Sequence, residues 1–220
     1  MVADEIRCPL GPRDLVQVMQ RLHTLGLNTG SAGNASCRLS EKEYLITPSG
    51  IDPSALGPDS IVRMPPIGAS IVSGLKPSSE ASMHIAIYAA RSDVGAIVHT
   101  HSPYATALSC IRQSIPAFHY MVGVAGGDSI RCAPYATFGS KELSENAVVA
   151  LRERKACLLA NHGVLALGAD PHAAAMLALE VEQLSRQYCI AVQSGEPVLL
   201  NEAQMKEVLE KFKTYGQSSE

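Results

Sequence analysis

Gly95-Ala96-Ile97-Val98-His99-Thr100-His101 opens apolar and ends on two histidines. A short apolar run bounded by glycine reads as a buried strand. Residues two apart on a strand share a face, so His99 and His101 point the same way. Two imidazoles side by side are costly to bury without a shared partner. A metal ion is such a partner. A third histidine lies in Asn161-His162-Gly163 and a carboxylate in Pro77-Ser78-Ser79-Glu80. Together His99, His101, His162 and Glu80 make a four-ligand set of the kind zinc favours.

Outward from this run, helices and strands alternate. Ser78 or Ser79 is placed to cap a helix through Met83, Ile87 and Ala90. A second strand is expected over 156–161, with Asn161-His162-Gly163 turning the chain into Val164-Leu165-Ala166-Leu167. Asp170-Pro171 supplies a capping oxygen and then proline at the first helical position, starting a helix that runs to Gly195. A last helix starts near Asn201, with Gln204 placed for a capping box, and fades at Gly216. Before the central run, Leu15, Val18, Met19, Leu22 and Leu25 recur at helical spacing and Gly26 stops them. Tyr44-Leu45-Ile46-Thr47 reads as a strand ended by Pro48-Ser49-Gly50. No linker or repeat interrupts the alternation, so one α/β domain is expected over residues 1–220.

The chain has 220 residues, 46% of them hydrophobic, and a formal net charge of −3. That balance carries no footprint for nucleic acid or for an anionic membrane surface. The start Met1-Val2-Ala3-Asp4-Glu5 is acidic and does not read as an export signal. Six scattered cysteines, Cys8, Cys37, Cys110, Cys132, Cys157 and Cys189, include no C-x-x-C pair and read as buried reduced thiols. The cytoplasm is the expected compartment.

Each candidate has a bland alternative. An acidic residue in the first turn of a helix complements the helix dipole, and Glu80 alone would be read so. Beside two serines and the exposed N–H groups of a helix start it reads instead as a base next to a bound anion. The glycine-rich segment Asn28-Thr29-Gly30-Ser31-Ala32-Gly33-Asn34-Ala35-Ser36 lacks both the dinucleotide and the P-loop spacing. It is either a surface loop or a set of small residues able to approach an oxyanion. With Ser49-Gly50 and Ser78-Ser79 it forms three small-residue elements, enough to surround one phosphate. His23, His84, His119 and His172 are read as satisfied core residues and not as ligands. His84, four residues beyond Glu80, is the one placed to support it.

These segments together resemble the class II aldolase family. Gly30-Ser31-Ala32-Gly33-Asn34, Leu45-Ile46-Thr47-Pro48-Ser49-Gly50-Ile51, Pro77-Ser78-Ser79-Glu80, His99-Thr100-His101 and Asn161-His162-Gly163 fall in the family's order. Ile115-Pro116-Ala117-Phe118-His119-Tyr120-Met121, Cys132-Ala133-Pro134-Tyr135-Ala136-Thr137-Phe138-Gly139 and Glu210-Lys211-Phe212-Lys213-Thr214-Tyr215-Gly216 are similar to its fuculose-phosphate branch. The resemblance implies a three-layer α/β/α fold around a largely antiparallel sheet, assembled as a homotetramer with sites between subunits. It implies one divalent cation per subunit on His99, His101, His162 and Glu80, usually Zn2+, with Mn2+ or Co2+ as alternatives. Glu80 would also be the catalytic base. Gly33, Asn34, Ser49, Gly50, Ser78 and Ser79 would hold a phosphate. Tyr120 would reach a neighbouring subunit's site as proton donor, and Phe138, Phe212 and Tyr215 would shape the aldehyde side. Ser49 stands where the branch carries threonine and keeps the hydroxyl.

The activity implied is reversible cleavage of a ketose 1-phosphate to dihydroxyacetone phosphate and a small aldehyde. Fuculose 1-phosphate and 5-deoxy- or 5-methylthio-ribulose 1-phosphate, the latter a salvage substrate, are the candidates. Three other family members offer alternatives. The pentulose-phosphate 4-epimerase carries aspartate at the place of Glu80. The methylthioribulose-phosphate dehydratase lacks the Tyr120 block in this form. The adducin head, a binding domain, has lost metal ligands that this chain keeps.

Overall fold

The computed structural model describes residues 11–41, 43–64 and 74–214. Its elements are α1 (Pro12–Thr24), β1 (Asn34–Arg38), β2 (Tyr44–Ile46), β3 (Val62–Met64), α2 (Ala81–Ala90), β4 (Ala96–Thr100), α3 (Pro103–Cys110), β5 (Arg131–Ala133), α4 (Lys141–Ala150), β6 (Ala156–Leu159), β7 (Gly163–Gly168), α5 (Pro171–Ser194) and α6 (Glu202–Phe212). Short 3-10 turns cover Pro53–Ala55, Pro58–Ser60 and Tyr120–Ala125. The strands form one sheet in the order β3-β2-β1-β4-β7-β6-β5. Every neighbouring pair is antiparallel except β5 with β6.

Residue parity along the strands separates two cores. Ala35 and Cys37 of β1, Ala96 and Val98 of β4 and Ala166 of β7 pack on α1 and α5. Ile97 of β4 and Leu165 and Leu167 of β7 face the other way, onto Met83, Ile87 and Tyr88 of α2 and Leu143 and Ala147 of α4. Helices therefore cover both faces, and the central strands are buried along their length, which is why they read as unbroken apolar runs. The three-layer α/β/α arrangement with a largely antiparallel sheet is as expected.

On the α2 side β1 is polar. Asn34, Ser36 and Arg38 share that face, and they meet Glu80, His84 and Tyr88 of α2 in turn. Asn34 Nδ2 donates to Glu80 Oε2 at 3.0 Å. Ser36 Oγ lies 2.7 Å from His84 Nδ1 and 2.8 Å from the Tyr88 hydroxyl. Arg38 donates to the Tyr88 carbonyl at 2.6 Å and its guanidinium lies 4.8 Å from the Tyr88 ring centre. Two residues of strand and four of helix both advance about 6–7 Å, so the two polar series stay in step. Polar groups buried in this way hydrogen-bond one another and fix one register of α2 on β1.

Several expectations need correction. The helix after Ser78-Ser79 has Glu80 itself at its N-cap position. Ser78 Oγ accepts from Glu80 N at 3.2 Å, a turn that precedes the helix and does not cap it. The segment read as a loop through Ser36 enters β1 at Asn34. Leu25 is 52% exposed because α1 ends at Thr24, and Leu27 takes the buried place. Not all the described cysteines are buried thiols: Cys37 and Cys157 are, Cys110 is exposed, and Cys132 and Cys189 are half-buried. By contrast Asp170 caps α5 through Ala173 N at 2.8 Å. Asn201 and Gln204 form the expected reciprocal cap of α6 at 2.9 Å each. No described helix is long and apolar enough to cross a membrane.

Candidate active site

β4 and β7 deliver the histidines. His99 is the last residue but one of β4, fully buried on the α2 face, while His101 lies just past the strand and is exposed. His162 stands in the three-residue turn between β6 and β7. Glu80 comes in from the start of α2 and is buried. One ligand atom from each of the four lies within 4.8 Å of the others. His99 Nε2 is 3.2 Å from Glu80 Oε2, His162 Nε2 is 3.3 Å from Glu80 Oε1, and the Nε2 atoms of His99 and His101 are 2.9 Å apart. A tetrahedron of ligands about 2.0–2.1 Å from zinc has edges of roughly 3.3 Å. The site has the size of one ion.

The surroundings agree with that reading. His99 Nδ1 lies 2.9 Å from the Val164 carbonyl, which can only accept, so the proton sits on Nδ1 and Nε2 presents a lone pair. Asn28 Oδ1 accepts from His101 N at 2.9 Å and holds the second ligand where the strand has ended. Glu80 Oε1 is buried without a hydrogen-bond partner among the described residues. A Cβ on Gly163 would come within 3.0 Å of His101 and 3.1 Å of His99, so glycine leaves the rings room to converge. Burial drives the His99 imidazole down to about 3. It lowers His101 too, with His162 adding to the effect, so both rings are kept neutral, the form that binds metals. Burial pushes the Glu80 carboxyl up, but His99, His162 and the Asn34 amide outweigh it and hold it below its ordinary value. The donor set fits a divalent cation.

A cavity of about 320 Å³ opens in front of this cluster. Ser31, Gly33, Asn34, Ser49, Gly50, Ser78 and Ser79, from the three small-residue elements, are among its lining residues. Two of these loops are stitched together. Pro48 and Pro77 form a β-bridge, Ser49 N donates to the Lys76 carbonyl and Ser78 N to the Thr47 carbonyl, each at 3.0 Å. These bonds consume N–H groups expected to be open to an anion. The Ser49 and Ser79 hydroxyls carry no hydrogen bond among the described residues. Gly33 and Gly50 both have left-handed φ, +74° and +72°. A side chain at Gly33 would also collide with Asn28. Tyr135, Ala136, Phe138 and Asn161 also line the cavity.

Tyr120 and Phe212 do not line this cavity. Tyr120 is 51% exposed at the start of a 3-10 turn, its ring centre 6.4 Å from that of Phe212. Tyr215 lies outside the described residues. His84 supports Ser36 rather than bonding Glu80 directly, and burial lowers it to about 4. Asn28, Ser31 and the Val164 carbonyl were not singled out from the sequence. Asn28 and Ser31 fall in the glycine-rich segment, whereas the Val164 carbonyl has no mark in the sequence.

A match to a family model now joins the geometry: residues 13–189 fit the class II aldolase and adducin N-terminal domain. The chain belongs to the class II aldolase and adducin family. It is 50% identical over 206 residues to the 5-methylthioribulose-1-phosphate/5-deoxyribulose-1-phosphate aldolase of Rhodospirillum rubrum, covering 94% of this chain and 92% of that protein. It is 45% identical over 205 residues to the L-fuculose phosphate aldolase of Escherichia coli K12, covering 93% and 94%. Among solved structures, an L-fuculose 1-phosphate aldolase superposes with a TM-score of 0.87 at 40% identity, covering 97% of this chain and 98% of that one. The relatives of this class II aldolase-family chain thus span almost its whole length.

Proposed function

We infer that this chain is a metal-dependent aldolase that reversibly cleaves a ketose 1-phosphate between C3 and C4, giving dihydroxyacetone phosphate and a small aldehyde. One observation carries the reading: a cluster of three histidines and a carboxylate adjoins a cavity lined by hydroxyls, glycine turns and aromatic rings. The aldolase relatives support it.

His99, His101, His162 and, in the resting site, Glu80 would hold the cation. Bound there, a divalent ion polarises the substrate carbonyl and stabilises the negative charge that develops beside it. The Ser49 and Ser79 hydroxyls, with Gly33 and Gly50 giving close approach, seat the phosphate; Ser78 and Asn34 complete the seat. Asn34 has a second part, holding Glu80 Oε2 through its amide nitrogen. Glu80 removes a proton from carbon in dihydroxyacetone phosphate during condensation and returns it during cleavage. Tyr120 of a neighbouring subunit donates the proton to the aldehyde oxygen, and Phe138, Phe212 and Tyr215 border the aldehyde. Tyr120 is exposed and does not line the cavity of its own chain, which supports a homotetramer with shared sites. Zn2+ suits three imidazoles and one carboxylate, and Mn2+ or Co2+ are the alternatives. The cytoplasm suits a phosphorylated sugar substrate.

The aldehyde is the open choice. Relatives named for 5-methylthioribulose 1-phosphate and for fuculose 1-phosphate are of similar identity. The aromatic wall formed by Tyr135 and Phe138 accepts a methyl or methylthio group in either case. Release of dihydroxyacetone phosphate from each sugar by the purified, metal-replete protein tests the reading. Cleavage of at least one, abolished by a chelator and restored by zinc, is expected. No release from either would overturn the assignment, and the ratio of kcat/KM values names the preferred aldehyde.

A further inference from the structure

Two helices in this fold end in the same hydrogen-bonded turn, with different residues at its strained position. After α1, Gly26 N donates to the His23 carbonyl at 3.0 Å and Leu27 N to the Leu22 carbonyl at 2.9 Å, with Gly26 at φ +75°. After α3, Arg112 N donates to the Ser109 carbonyl at 3.0 Å and Gln113 N to the Leu108 carbonyl at 3.1 Å, with Arg112 at φ +55°. Glycine is the usual residue at this left-handed position, because a Cβ there crowds the backbone. The turn itself gives no reason for arginine. The side chain does. Arg112 Nε donates to Asn161 Oδ1 at 3.1 Å, and Asn161 is the residue before His162.

Asn161 is left-handed as well, at φ +55°. The last turn of α3 holds it and its neighbour at three further points. Asn161 N donates to the Ser109 carbonyl at 3.0 Å, Asn161 Nδ2 to the Cys110 carbonyl at 3.2 Å, and His162 N to Ser109 Oγ at 3.3 Å. Ser109 is fully buried and its hydroxyl donates to the Thr106 carbonyl at 2.8 Å, which orients the oxygen that His162 uses. The same helix begins at Pro103, two residues after His101. One eight-residue helix therefore leaves one pair of histidines and grips the third.

We propose that Arg112, acting through Asn161, is a positioning residue for His162 and sets the affinity of the cation site. His99 is fixed by strand pairing, whereas His162 sits in a turn between two strands, where the end of α3 supplies an external grip. The inference rests on the reading of His99, His101, His162 and Glu80 as a metal centre.

Arg112→Gly tests it cleanly, since glycine favours the backbone conformation and only the guanidinium is lost. The metal-free variant is expected to melt at or above the wild-type temperature. Its Zn2+ affinity, measured by competition against a chelator, is expected to fall about 10- to 100-fold, the usual effect of losing a contact behind a metal ligand. Asn161→Gly should fall at least as far. The double variant should bind no more weakly than Asn161→Gly alone, because Arg112 acts through Asn161. With Co2+ at saturation, the d–d bands of Arg112→Gly should differ from wild type in intensity. Wild-type Zn2+ affinity in Arg112→Gly would overturn the proposal, as would a lower melting temperature with unchanged affinity or losses that simply add in the double variant. Failure of the wild-type protein to take up Zn2+ would remove the metal reading and this inference together, whereas wild-type uptake with an unaffected Arg112→Gly removes the inference alone.

Discussion

The Glu80–His99–His101–His162 cluster and the Tyr120–Phe212 pair are assigned to one reaction, yet they sit in opposite surroundings. The cluster draws on α2, the end of β4 and the β6–β7 turn, and its centre is dry: His99 is 0% exposed and Glu80 6%. Tyr120 is half-exposed and meets Phe212 outside the cavity. Groups that must hold a charge at fixed distances gain from burial and from neighbours that lock them. A group that acts once, on a departing or arriving aldehyde, can be supplied from outside and withdrawn. The chain completes the first kind of apparatus by itself. In the proposed assembly the second comes from another copy.

The strongest test of the contrast removes the core of the cluster. Replacing His99 and His101 together by alanine is expected to abolish metal uptake, against about one ion per chain in the wild type on four-ligand logic. Elemental analysis after dialysis measures it, and full retention of metal would sink the assignment. Next comes the base. Glu80→Gln keeps the shape of the carboxylate and should slow proton exchange on dihydroxyacetone phosphate roughly a hundredfold or more. An exchange rate equal to wild type would take that role away from Glu80.

Tyr120→Phe sharpens the comparison from the other side. Aldol cleavage should slow by about a hundredfold while proton exchange on dihydroxyacetone phosphate, which needs no aldehyde, stays within about twofold. Truncation before Phe212 should divide the two rates in the same sense. Equal losses in both rates, or dissociation of the oligomer in the same sample, would mean that these aromatics pack rather than participate.

The smallest effect lies behind the cluster, in the polar series between β1 and α2. His84 is fully buried against Ser36, with the Tyr88 hydroxyl on the same serine and the Glu80 carboxylate as its charged neighbour, and burial lowers it from 6.5 to about 4. An unfolded chain takes up a proton on this histidine below pH 6.5, whereas the folded one resists until about pH 4. Stability is therefore lost as pH falls through that window and is affected no further below it, by about 3 kcal/mol in all. His84→Gln should flatten the stability-against-pH curve of the metal-free protein between those values. His99, also lowered by burial, leaves a residual slope. An unchanged curve would show that His84 does not titrate in this range.

Local chemistry made much of this legible in advance. Asp170-Pro171 and Asn201 with Gln204 start helices because their side chains satisfy the first N–H groups wherever the chain goes. The apolar run ahead of His99 is a strand because both of its faces are buried. The metal ligands could be listed because few other uses explain two imidazoles on one strand face. Short-range physics left other features unmarked. The start of β1 reads as loop in the sequence, since Asn34 and Ser36 look like surface residues until α2 is laid across them. Glu80 marked a helix start, but only the pairing of Asn34 with His99 across β1 and β4 puts its carboxylate against the histidines. The N–H groups of Ser49 and Ser78 seemed open until the two loops bonded one another. Arg112 gave no signal at all, because its partner is 49 residues away. Sequence alone determined which groups could bind a cation and which segments would be helix or strand, because propensity and ligand chemistry act over a few residues. The tertiary structure decided which oxygens and nitrogens converge and what holds them, because those contacts exist only once distant segments pack.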